Sequence, residues 1–124
     1  MMDRESQRAR IAKILLLVYW LAMFVGTHIP RSVTPPGPSG FDKLLHLAGF
    51  GGLAWLLAWT VSRHRRLPIA RLIGLFCVVA AYGVVDELTQ IPVGRDGSVY
   101  DWLADLMGGA AGIGVFLLAR QARK

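Results

Sequence analysis

Four long apolar runs separated by short polar connections dominate the chain, at roughly 11–29, 44–61, 69–91 and 102–119. Their flanks extend the predicted helices to about 11–29, 42–61, 69–91 and 101–119. A helix of about twenty apolar residues crosses the hydrocarbon core of a bilayer, and each run approaches or reaches that length. The second is the shortest, and it recruits Phe41, Asp42 and Lys43 at the interface. A soluble bundle would need a continuous polar face on every helix. The stretches 11–29 and 69–85 have none. The pattern predicts an all-α fold, an integral membrane four-helix bundle forming one domain over 1–124.

The connections fit that reading. Residues 62–68 are too few to do more than turn the chain, so the second and third helices should be antiparallel neighbours. The proline-rich segment 30–40 predicts an extended, stiff connection, and the glycines and proline of 92–98 predict a compact turn. The first run is too long for a signal-peptide core, and Gly26–Arg31 is a poor small-residue cleavage site, so it is expected to stay as helix one.

Composition sharpens the picture. A chain of 124 residues that is 54% hydrophobic, with mean hydropathy +0.46, is too apolar for an ordinary small soluble domain. The net charge of +6 raises nucleic acid as a partner, but the placement of the charges argues against it. Arg4, Arg8, Arg10, Lys13, Arg63, Arg65, Arg66, Arg71, Arg120, Arg123 and Lys124 all fall at one end of the predicted bundle. Only Arg31, Lys43 and Arg95 fall at the other. The positive-inside rule then puts both termini in the cytoplasm, with the basic tracts facing anionic lipid.

The acids run the other way. Asp3 and Glu5 are on the basic side, whereas Asp42, Asp86, Glu87, Asp96, Asp101 and Asp105 are on the opposite, outer side. Cys77 is expected to be a buried apolar filler, with no disulfide or thiolate metal site. Trp59 and Trp102 suit the two interfaces, and Trp20 and Trp55 suit internal packing. His28, at the outer end of helix one, is read as an interface residue.

Ionisable residues inside membrane helices are functional by default. His46 lies four residues beyond Asp42, and Asp105 four beyond Asp101, each on the same helical face and about 6 Å deeper. Glu87 lies about as far from the end of the third helix. A carboxylate there opposes the helix dipole and needs a partner. Gln90, one turn on, is the candidate. Gly49, Gly83, Gly108 and Gly112 share these faces, and Gly108–Gly112 is a GxxxG pattern, so the polar stripes should point into the bundle.

Arg95 is expected to pair with Asp96, Asp101 or Glu87, or to meet a phosphate. Asp42 and Asp101 are read equally well as helix-start residues and as site residues.

Three chemistries fit such a cluster. His46, Glu87 and Asp105 could hold a divalent cation, although the spacing matches no recognised metal motif and no metal or other cofactor is assigned. His46 with a carboxylate could act as a general acid–base pair, which makes His46, Glu87 and Asp105 the catalytic candidates. Alternatively the cluster is a structural network joining three helices. Residues 39–49 and 98–108 also echo one another, each running from an outer loop into an inward helix (Asp42 with Asp101, His46 with Asp105, Gly49 with Gly108).

Asp42-Lys43-x-x-His46 resembles the opening motif of the VanZ-like membrane protein family. Glu87-x-x-Gln90, Arg95-x-x-Ser98-x-x-Asp101, and then Asp105 and Gly108 before an Ala/Gly-rich helix resemble its second half, so the likeness runs from Phe41 to Gly114. Two departures stand out. Val93-Gly94 precedes Arg95 where the family usually has a long apolar residue, and Asp105 stands where Asn is common, adding a charge.

The family takes its name from an accessory protein associated with teicoplanin resistance, and most members have no assigned activity. The resemblance implies a multi-pass protein of a bacterial cytoplasmic membrane. It also implies ligand-binding positions at Asp42, Lys43, His46, Glu87, Gln90, Arg95, Ser98, Asp101 and Asp105. The expected partners are membrane lipids and a lipid-linked envelope precursor or lipoglycopeptide, with a homo-oligomer contact through Gly108 and Gly112. Head-group binding without catalysis is the leading expectation. A small intramembrane enzyme acting on an envelope precursor and an oligomeric transporter are the alternatives.

Overall fold

The computed structural model describes residues 3–62 and 67–123. It contains four long helices, α1 (Arg4–Thr27), α2 (Phe41–Val61), α3 (Ile69–Gln90) and α4 (Val99–Gln121). Single helical turns at Arg31–Val33 and Ile91–Val93 interrupt the two connections at the site end of the bundle. All four helices are long and apolar enough to cross a membrane. Of the basic residues that set the expected orientation, Arg63, Arg65, Arg66 and Lys124 lie outside the described residues.

Helix α1 begins earlier than its apolar run predicts. Asp3 caps it by accepting a hydrogen bond from the Ser6 N–H at 2.6 Å, which holds the Asp3 carboxyl below its ordinary value. Arg, Glu, Gln and Ala are good helix formers, so the backbone stays helical through the polar stretch that hydropathy leaves out. The proline-rich connection is likewise not extended from its start, because the turn at Arg31–Val33 folds it back beside Thr34.

The apolar core is built by α2, α3 and α4, from Phe50, Ala54, Ala58, Leu75, Val79, Ile113 and Phe116. Helix α1 is peripheral: Leu17, Val18, Leu21 and Val25 all face outward. Water would penalise so wide an apolar surface, and lipid does not. Tyr19 anchors α1 by donating to the Gly49 carbonyl at 2.8 Å, with its ring over Gly52 where a side chain would collide. Trp20 meets Tyr82 of α3 edge-on, with ring centroids 5.0 Å apart.

Helices α2 and α4 run in the same direction and touch backbone to backbone. A Cβ on Gly108 would strike the Leu47 carbonyl, and one on Gly112 would strike the Gly51 carbonyl. The GxxxG pattern is therefore used within the chain. Both glycines are buried against α2. Cys77 departs from the buried place expected of it, since it lies on the exposed face of α3.

Gly108→Ala and Gly112→Ala should each destabilise the fold by about 1–3 kcal/mol, because the helices must separate to admit a methyl group. Gly114→Ala, with open space around its Cα, should be close to neutral. Thermal unfolding of the three variants in detergent checks the difference.

Candidate functional site

The close crossing of α2 and α4 brings the second turns of both helices to one level. His46 Nδ1 and Asp105 Oδ1 lie 2.8 Å apart, and both side chains are buried. His46 and Asp105 are equivalent positions of the internal echo. The two halves thus meet through a base on one helix and an acid on the other.

Glu87 reaches the same point from α3. Its Oε2 accepts the Ser98 backbone N–H at 2.7 Å, and Ser98 caps α4 by accepting from the Asp101 N–H at 3.4 Å. The expected compensation by Gln90 is replaced by this contact. The carboxylate that opposes the dipole at the end of α3 sits on the N-terminus of α4, where exposed N–H groups favour a negative charge. Glu87 Oε1 lies 3.7 Å from His46 Nδ1. A glycine at position 83 makes room, since a Cβ there would lie 3.1 Å from Asp105 Oδ2.

The remaining charges form a layer nearer the loops. Asp101 Oδ1 lies 3.5 Å from Lys43 Nζ. Arg95 donates to Asp42 Oδ1 at 3.2 Å and to the Ile29 carbonyl at 3.1 Å, and Arg31 donates to Asp42 Oδ2 at 3.4 Å. Arg95 therefore pairs with Asp42 and not with the expected Asp96, Asp101 or Glu87. The left-handed Gly94 (φ 77°) turns the chain after Val93, and the Arg95 N–H then bonds back to the Gln90 carbonyl. That reversal sends the guanidinium across to α2. Asp42, His46 and Asp101 also place one donor atom each within 4.8 Å of one another, so the two layers share His46.

Sequence reasoning missed a second buried network. Asp86 is fully buried and accepts from Thr27 Oγ1 at 2.8 Å, Gln90 Nε2 at 2.8 Å and the Tyr82 hydroxyl at 3.4 Å. Gln90 thus serves Asp86 and not Glu87. His28 is more than an interface residue, because its ring bridges the Phe24 carbonyl and the Thr89 hydroxyl, each at 2.8 Å. Tyr82, Asp86 and Gln90 recur every four residues, which was a legible signal of one polar stripe. Trp102 does more than suit an interface. Its indole N–H donates to the Ala80 carbonyl at 3.1 Å, locking α4 to α3.

Two openings adjoin the cluster. A cleft of about 460 Å³ between α1 and α2 is walled by Met23, Val33, Leu45, Gly49 and Phe50, and it also exposes Asp42, His46 and Arg95. A basin of about 880 Å³ under the proline-rich loop is lined by Arg31, Lys43 and Arg95 together with Asp42. The two share Thr34, Pro35, Asp42, Leu45 and Arg95.

A protein-family model described as VanZ/LLP1 matches residues 2–120. The chain belongs to the VanZ/LLP1 family. With four helices of membrane-spanning length and composition, it is a multi-pass membrane protein of that family. No curated protein and no solved structure matches it. The positions that carried the VanZ resemblance gather at one end of the bundle: Asp42, Lys43, His46, Arg95, Ser98, Asp101, Glu87 and Asp105 interlock, and Gln90 stands beside them on Asp86.

In this VanZ-family fold, Thr27→Val should lower stability by about 1 kcal/mol, because it strips a donor from a buried carboxylate. Thr27→Ser should keep most of it. Thermal unfolding followed by circular dichroism separates the two.

Proposed function

We propose that this protein binds the anionic head group of an envelope lipid, or of a lipid-linked glycopeptide precursor, on the extracytoplasmic side of a bacterial cytoplasmic membrane. One observation carries the reading: three cationic side chains, Arg31, Lys43 and Arg95, line a single basin that adjoins an apolar cleft. A phosphate or carboxylate suits the guanidinium forks in the basin, and an acyl or polyprenyl chain suits the cleft. Asp42 now occupies Arg31 and Arg95, and it acts as the internal anion that a head group would displace or share. The orientation rests on the concentration of basic residues at the opposite end. Binding of this kind fits a role in the cell envelope and in teicoplanin-type glycopeptide resistance, with no nucleic-acid partner.

A second reading, acid–base chemistry on a lipid-linked precursor, is favoured by the place of His46 at the cleft with a carboxylate behind it. Catalysis would require turnover of the bound lipid, which mass spectrometry of recovered lipid detects.

Native mass spectrometry with anionic and zwitterionic lipids should show a preference for the anionic ones. Arg95→Ala should weaken that binding by about tenfold or more, the worth of a charge-assisted hydrogen bond. Arg123→Ala, one of several basic residues at the far end, should weaken it far less. In cells, His46→Ala and Arg95→Ala should shift glycopeptide susceptibility. Well-folded variants with unaltered lipid binding and susceptibility would end the proposal.

A further inference from the structure

The two buried acid clusters differ in one respect that points to a ligand. Asp86 is fully enclosed, and it is satisfied by three side-chain donors. The His46 cluster is not. Glu87 Oε1, Asp101 Oδ1 and Asp105 Oδ2 are buried without a hydrogen-bond partner. The Glu87 side chain is 9% exposed, and its orphan oxygen Oε1 lies 3.7 Å from His46 Nδ1. A buried carboxylate oxygen without a donor forfeits its hydration and gains nothing in return. Charge shows the same deficit: three carboxylates meet one ammonium, that of Lys43, beside an imidazole. Even with the imidazole protonated, ionised carboxylates would outnumber the cations in a low-dielectric setting, where uncompensated charge is most expensive.

We propose that His46, Glu87 and Asp105 form a binding site for a divalent cation. One donor atom from each lies within 4.8 Å of the others. The observed separations of 2.8 and 3.7 Å from His46 Nδ1 bracket the spacing that adjacent ligands take around an ion with bonds of about 2.0–2.2 Å. The cation replaces the Nδ1 proton between His46 and Asp105, and the imidazole proton moves to Nε2. One nitrogen and two carboxylate oxygens favour a transition-series ion that accepts an imidazole, Zn²⁺ above all and Mn²⁺ as its spectroscopic stand-in, over Mg²⁺ or Ca²⁺, which favour all-oxygen shells. Three protein ligands leave a coordination position open, as in sites that bind or activate a further ligand. The Ser98 N–H on Glu87 Oε2 and the Lys43 ammonium near Asp101 hold the surrounding acids in place. The site stands on its own ligands and does not require head-group binding.

The test uses the full chain, purified in detergent, stripped with chelator and titrated with Zn²⁺ or Mn²⁺ alone. The expected result is one ion per chain, with the affinity lost in Glu87→Gln and Asp105→Asn but kept in Asp86→Asn. Because lost binding in a variant also follows from misfolding, a pulsed electron paramagnetic resonance measurement on the wild type with bound Mn²⁺ is decisive. It should reveal the nitrogen coupling of a single imidazole. Absence of saturable binding, binding unchanged in both ligand variants, or bound Mn²⁺ without nitrogen coupling would each overturn the assignment.

Discussion

Where α2 crosses α4, Gly108 and Gly112 lie on the carbonyls of Leu47 and Gly51, and no side chain stands between the two backbones. Lipid offers no hydrophobic gain for helix association, so close van der Waals contact has to supply it. That contact also fixes the axial register of the two helices. With the register set, residues at equivalent heights must meet, and His46 meets Asp105. Helix α3 joins through Gly83, which admits Asp105 and Trp102 to its surface. The glycines therefore decide the position of the charges, and the charges follow from the packing.

The polar groups divide according to whether the fold satisfies them. Asp86 with Thr27, Tyr82 and Gln90 ties α1 to α3, and every part of it reads as architecture. Such a network is stable because each carboxylate oxygen has a donor within the protein. The cluster around His46 shares its depth and its burial but keeps orphan oxygens. An unsatisfied buried group is expensive inside a membrane-spanning bundle, and here the unsatisfied oxygens belong to the proposed cation site.

The internal echo acquires a physical meaning from this arrangement. Residues 39–49 and 98–108 each lead from a loop into a helix of the same direction, and the two helices pack on each other. An exact repeat would set like charges face to face. At the deeper level the chain avoids this by having His46 in one half and Asp105 in the other, and nearer the loops the equivalent acids Asp42 and Asp101 are each met by a cation, Arg95 and Lys43. Difference between the halves converts repulsion into attraction. It also leaves the basin side cationic, while the deeper layer stays acidic.

The amino-acid sequence by itself determined the four helices, the separation of basic and acidic ends, and the set of residues placed at the acidic end. These are one-dimensional properties: apolar length measures the fit to a bilayer, and spacing by four assigns a common face. The pairings were decided only by the tertiary structure. Arg95 chose Asp42, Gln90 chose Asp86, and Glu87 took the N-terminus of α4. Each of those choices depends on the rotation and height of one helix relative to another. A shift of one residue turns a helix by about 100°, so a partner cannot be read from spacing along either helix alone. The reversal at Gly94 and the depth of the α2–α4 contact supply that missing geometry, and both arise from chain packing in three dimensions.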